Sequence, residues 1–86
     1  MADINVNESV KLRLYAAARS AAGRSEITVE PGILANILIN VAKGNSRLAH
    51  VFLQCSFLLD GVAVHESTKE IPANSTIDVL PPFAGG

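Results

Sequence analysis

The residues of this chain that could act as nucleophiles, bases or metal ligands are few and dispersed. A thiol nucleophile paired with a nitrogen base would need the single cysteine, Cys55, beside His50 or His65, the only two histidines. Cys55 alternates in register with Phe57 and Leu59, so it is expected to face the core as a buried structural thiol, as free cysteines commonly do. His50 falls on the polar face of a helix and His65 in a turn, and both read as solvated side chains. One Cys and two His do not supply the ligand set of a structural zinc site, and a lone Cys closes no intramolecular disulfide. No metal is expected. The eight carboxylates are spread along the chain without a pair spaced to flank a substrate. Glu26, Glu30, Glu66 and Glu70 read as solvated surface. Gly23, Gly32, Gly44 and Gly61 stand singly at element boundaries, which is not the pattern of a phosphate-cradling loop. An enzyme acting alone is not indicated.

Chemistry is concentrated instead at the end of the sequence, Leu80-Pro81-Pro82-Phe83-Ala84-Gly85-Gly86. Two prolines hold the exit from the last strand extended, and six residues from Pro81 reach roughly 20 Å. Gly85 and Gly86 carry no Cβ, so they can pass a narrow channel and leave a terminal carboxylate open to attack from either side. With a free pKa of about 3.3–3.7 that carboxylate is ionised at neutral pH and can attack the α-phosphate of an ATP bound to another protein. On the dipeptide alone, a frayed Gly-Gly terminus is an equal alternative.

The elements that must carry this tail follow from periodicity. Val10-Lys11-Leu12-Arg13-Leu14-Tyr15 alternates strictly, with Val10, Leu12 and Leu14 on one face. Ala16 to Gly23 reads as a connection with about one turn of helix. Ser25 to Glu30 alternates again with Ile27 and Val29 inward, and Pro31-Gly32 is a turn signal. Ile33, Leu34, Ile37, Leu38 and Val41 form the stripe of the main helix, with Asn36, Asn40 and Lys43 opposite and Gly44 as its stop. Ser46 is positioned to cap a second, short helix over Arg47 to Leu53, with Leu48, Val51 and Phe52 inward. Cys55 to Leu59 is a strand, and Asp60-Gly61 before Val62-Ala63-Val64 signals a type I′ hairpin. A polar stretch from His65 to Ser75 precedes the last strand, Thr76 to Leu80, with Ile77 and Val79 inward. Pro81 and Pro82 end it, having no N–H to give to a ladder. On this alternation Arg13, Tyr15, Leu58 and Leu80 share the sheet face away from the helix, where Leu58 and Leu80 would be exposed apolar residues and a partner surface.

Length and composition fit one small domain over residues 1–86, with residues 1–8 disordered and 81–86 an extended tail. Apolar residues are 49% of the chain and charged ones 17%, too apolar for intrinsic disorder. Net charge is −1, and the seven Lys and Arg look scattered, so nucleic acid is not an expected partner. The apolar run Gly32 to Ala42 is too short to span a bilayer, and Met1-Ala2-Asp3-Ile4-Asn5 has no basic leader region, so a cytoplasmic chain is expected.

The strand, the connection ending in Ala22-Gly23, the helix after Pro31-Gly32, the hairpin Phe57-Leu58-Leu59-Asp60-Gly61-Val62 and the terminal Leu80-Pro81-Pro82-Phe83-Ala84-Gly85-Gly86 together resemble the MoaD/ThiS family of ubiquitin-like sulfur carriers. The resemblance spans Val10 to Gly86, and the Pro-Pro-x-Ala-Gly-Gly ending is closest to the small subunit of molybdopterin synthase. It implies an α+β, ubiquitin-like β-grasp fold: a mixed sheet with one main helix, the first and last strands parallel in its middle, and an extended Gly-Gly tail. It also implies that a ubiquitin-activating-like adenylyltransferase uses ATP to convert the Gly86 carboxylate to an acyl-adenylate, which a sulfur donor protein turns into a thiocarboxylate. The sulfur would then build the molybdopterin dithiolene within a heterotetramer formed with the synthase large subunit. Gly85 would give access, while Phe83, Pro82, Leu58 and Leu80 would contact partners; no cofactor would be bound by the carrier itself. Departures are Asp60, where the family often has Asn, and Phe83, where a smaller residue is usual. Delivery of sulfur to thiazole, cysteine or tRNA, or conjugation to lysines as a ubiquitin-like modifier, uses the same tail chemistry.

Overall fold

A computed structural model describes residues 8–82; the segment expected to be disordered, apart from Glu8, and the end of the expected tail lie outside the described residues. The strict alternation of the first segment forms strand β1, Val10–Leu14, with its odd residues exposed and Val10, Leu12 and Leu14 buried. The chain then turns sharply at Ala16, whose φ of 51° is left-handed, and runs into helix α1, Ala16–Ala22. This helix is longer than the single turn expected from the sequence. Gly23, at φ 74°, closes it with an N–H donated to the Arg19 carbonyl at 2.8 Å.

Strand β2, Glu26–Val29, returns antiparallel to β1, with Val10 opposite Val29 and Leu12 opposite Ile27. Pro31-Gly32 does more than turn the chain. Gly32–Ile33 is a short strand, β3, followed at once by helix α2, Leu34–Val41. Leu34 and Ile37 are buried and Leu38 and Val41 pack partly against the core, as the apolar stripe requires. Helix α3, Ser46–Phe52, buries Leu48 and Phe52. Its N-cap is Asn45 rather than the expected Ser46: the Asn45 side-chain oxygen accepts the Leu48 N–H at 3.0 Å. The same amide donates from Nδ2 to the Ala21 carbonyl at 3.0 Å, so one side chain caps α3 and ties it to α1. Ser46 lies one residue too late to do both.

Strands β4, Ser56–Leu59, and β5, Val62–Val64, form a hairpin whose central residues, Asp60 at φ 47° and Gly61 at φ 86°, have the two positive φ values of a type I′ turn. The polar stretch that follows hides a second short strand, β6, Glu70–Ile71, paired with β3. Ile71 is fully buried there, a core residue with no apolar neighbours in sequence to announce it. Strand β7, Thr76–Leu80, lies between β1 and β4, parallel to the first and antiparallel to the second. The main sheet therefore runs β2-β1-β7-β4-β5, with the first and last strands adjacent and parallel near its middle.

Leu12, Leu14, Ile77 and Val79 from the central strands meet Ala18, Leu34, Ile37, Leu48 and Phe52 from the helices in one core. Each large aliphatic side chain buried there stabilises the fold by roughly 1.5–3 kcal/mol relative to exposure. The helices cover one face of the sheet. The other face is free to meet something else.

Candidate functional site

Two features of the fold present the end of the chain. Leu80 is the last residue of β7 and is held on one side by β4, where it lies opposite Ser56. Pro81 is half-buried and Pro82 exposed beyond it. Phe83, Gly85 and Gly86, which the sequence singles out for binding and chemistry, lie outside the described residues. The position from which they depart is described.

The second feature is the outer sheet face beside that exit. Leu58 lies opposite Asp78 on β7 and Ala63 on β5, which makes it a diagonal neighbour of Leu80, at roughly 7–8 Å for such positions. Leu58 and Leu80 are half-buried rather than fully open, because the flanking strands cover part of each. They still form an apolar strip that crosses β7, β4 and, at exposed Ala63, β5. Next to it Arg13 donates from Nε to Asp78 Oδ1 at 2.8 Å, and the Tyr15 hydroxyl lies 3.3 Å from the same oxygen. The hydrogen bond and charge of Asp78 raise the Arg13 pKa above its ordinary value, so this guanidinium is a permanent cation. Alternation placed Arg13, Tyr15, Leu58 and Leu80 on this face, while Asp78, which joins Arg13 to Tyr15, was not among the residues singled out. Alternation in β7 could have shown it, since Asp78 sits between inward Ile77 and Val79.

Cys55 lines one groove with His50 and another with His65, but among the described residues no hydrogen bond joins the thiol to either imidazole. His50 is exposed on α3 and His65 exposed after β5. Cys55 precedes β4 and is only partly buried, packed against the core, where loss of water pushes its thiol pKa up. A raised pKa disfavours the thiolate, the reverse of what a nucleophilic cysteine needs. Among the described residues no group of three or more His, Cys, Asp or Glu is placed to hold a metal ion. No helix among them is long and apolar enough to cross a membrane.

No protein-family model matches the sequence, and comparison with curated proteins finds no match. Solved structures do match. Small archaeal modifier protein 1 from Methanosarcina acetivorans superposes with a TM-score of 0.73 at 23% identity, over 92% of this chain and 97% of that one. The protein of the same name from Haloferax volcanii gives 0.74 at 20% identity, over 91% and 99%. A chain from the complex of subunits 1 and 2 of the molybdopterin-converting factor of Helicobacter pylori gives 0.67 at 17% identity, over 91% and 99%. At these identities the likeness defines the fold: the chain has the ubiquitin-like β-grasp architecture, and its structural neighbours are MoaD/ThiS-like, as its tail and hairpin suggested.

Proposed function

We propose that the chain is a ubiquitin-like carrier whose Gly86 carboxylate is activated by a separate ATP-dependent adenylyltransferase and converted to a thiocarboxylate that donates sulfur to the molybdopterin dithiolene. The observation that carries this reading is the placement of β7. It runs through the centre of the sheet and ends at Leu80, beside Leu58 on the outer face, with Pro81-Pro82 following directly and Phe83-Ala84-Gly85-Gly86 next in sequence. On this reading recognition falls to the outer sheet face and the chemistry to the Gly-Gly end of the sequence.

In the first step a Gly86 carboxylate oxygen attacks the α-phosphorus of ATP and expels pyrophosphate, leaving an acyl-adenylate. Sulfide delivered by a donor protein then attacks the acyl carbon and expels AMP, so one oxygen of the carboxylate is replaced by sulfur. Gly85 lets the chain pass the narrow entry, Phe83 fills a partner pocket, and Leu58 and Leu80 dock against the partner. The converting-factor complex among the structural neighbours supports a second, synthase-type subunit as that partner. The carrier holds no cofactor of its own and is catalytic only in company.

A second reading is favoured by the neighbours named as modifier proteins: the same acyl-adenylate captured by a lysine amine instead of sulfide. Recovery of the protein from its native cell discriminates, since lysine conjugates support the modifier and a free chain ending in thiocarboxylate supports the carrier. The primary test uses deletion of Gly86, which withdraws the reacting carboxylate by about 3.3–3.6 Å, more than near-attack geometry tolerates. Incubated with adenylyltransferase, ATP and a sulfur source, the intact chain is expected to exchange oxygen for sulfur by mass spectrometry, and the deletion to fall by orders of magnitude. A deletion variant that gains sulfur at its terminus at the normal rate overturns the reading.

A further inference from the structure

The cations that look scattered along the sequence are gathered by the fold. No Asp or Glu occurs from Ser9 to Ser25, or from Pro31 to Leu59, and those two stretches supply all three helices. They also supply Arg19, Arg24, Lys43 and Arg47. The contact between α1 and α3 brings these together: the Asn45 amide reaches the Ala21 carbonyl at 3.0 Å, and Arg47 reaches the Ser20 hydroxyl at 3.5 Å. Arg19 and Arg24 therefore flank the α1 end of one junction, and Lys43 and Arg47 flank the α3 end. All four are exposed, and among the described residues none of them is in an ion pair; the two ion pairs found there use Lys11 and Arg13 on β1. A chain of net charge −1 thus carries a helical face of one sign.

Apolar surface adjoins this face. On the far side of α3 an open groove of about 800 Å³ runs between α2 and α3, lined by Ala35, Leu38, Ile39, Ala49 and Leu53 among others. Alanines on both facing helices keep it wide. Ile39 is 67% exposed and Leu53 83%, high values for aliphatic residues of their size.

We infer that the α1–α3 face and the groove beside it form a docking surface for an acidic, amphipathic protein segment. Its carboxylates meet Arg19, Arg24, Lys43 and Arg47, and its apolar side chains cover Ile39 and Leu53. The charge identifies the partner as anionic, and the adjoining groove identifies it as protein, because an amphipathic helix can lay apolar side chains over Ile39 and Leu53, which a phosphate backbone would leave uncovered. The surface lies on the helical side of the sheet and Leu58 and Leu80 lie on the other, so both faces can be occupied at once. The inference does not rest on sulfur carriage.

The test uses the full chain, isotope-labelled, titrated with a synthetic helical peptide bearing Leu on one face and Glu on the other. Amide shifts are expected around Ser20–Arg24 and Lys43–Leu53. Binding is expected to weaken by about tenfold in the Arg19→Glu/Arg47→Glu variant, as befits the loss of two exposed ion pairs. It is expected to weaken likewise near 1 M salt, where the screening length falls to about 3 Å. A peptide with Lys in place of Glu is expected not to bind. Equal binding of the Lys peptide, shifts confined to the outer sheet face, or tighter binding of a short oligouridylate at the same residues each overturn the proposal.

Discussion

Asp60 shows how much a single turn residue decides. Its backbone adopts a left-handed conformation that side chains without a local polar group rarely tolerate, while its Oδ1 accepts the Thr76 N–H at 2.9 Å and its own N–H reaches the Thr76 carbonyl at 2.8 Å. It therefore sets the hairpin and locks it to the start of β7. Asp60→Asn keeps both properties and is expected to leave the melting temperature nearly unchanged, whereas Asp60→Val is expected to cost about 1–3 kcal/mol in denaturant unfolding. Cys55 is decided by water rather than geometry. Its folded pKa is raised by burial, so the stability linked to the protonated thiol is fully present below the unfolded value and declines as pH rises through the folded one. Two measurements follow: alkylation by iodoacetamide slower in the folded chain than in urea, and a melting temperature that falls more steeply above about pH 8.5 for the wild type than for Cys55→Ala. The Asp-Gly turn was legible in the sequence because two positive φ values restrict residue choice. The left-handed Ala16 was not, since nothing in an alanine run marks the one that makes a corner.

At the scale of elements, legibility followed length and period. The strands β1 and β7 and the stripe of α2 announce themselves because burial repeats over several turns or pleats. Helix α1 does not, because an Ala-rich run closed by Gly has propensity but little apolar contrast, and it is held by burial of Ala18 and by the bond from Asn45, the N-cap of α3, to its Ala21 carbonyl. The small β3–β6 sheet is too short to show any period, and one buried isoleucine in polar surroundings reads as loop. Three substitutions separate these accounts. Asn45→Ala removes a cap and a tie between helices and is expected to destabilise by about 1–2 kcal/mol, while Ser46→Ala stays within a few tenths. Ile71→Ala is expected to cost about 2–4 kcal/mol despite its apparent loop setting, with urea unfolding as the measurement.

The whole molecule has two faces proposed for docking, and the sequence disclosed them unequally. The outer sheet face was readable because strand alternation assigns faces residue by residue. The basic helical face was not, because Arg19 and Arg47 are distant in sequence and meet only through the packing of α1 on α3. On the sheet side, Leu58→Asp places a charge in the apolar strip beside the exit of the tail. It is expected to leave the circular dichroism spectrum intact and to weaken binding to the proposed synthase-type subunit or adenylyltransferase by about 2 kcal/mol, or roughly 30-fold, in titration calorimetry. Unchanged affinity for both removes the strip from the interface. The central pairing of the sheet has a mechanical consequence. Because β1 and β7 run parallel, a force pulling backward on the start of β1 and forward on the end of β7 acts along the strands, so it loads the whole row of hydrogen bonds between them together instead of peeling them one by one. A pull on the end of β7 with the start of β1 held would therefore meet the centre of the sheet in shear, the loading under which a row of hydrogen bonds gives way together or not at all.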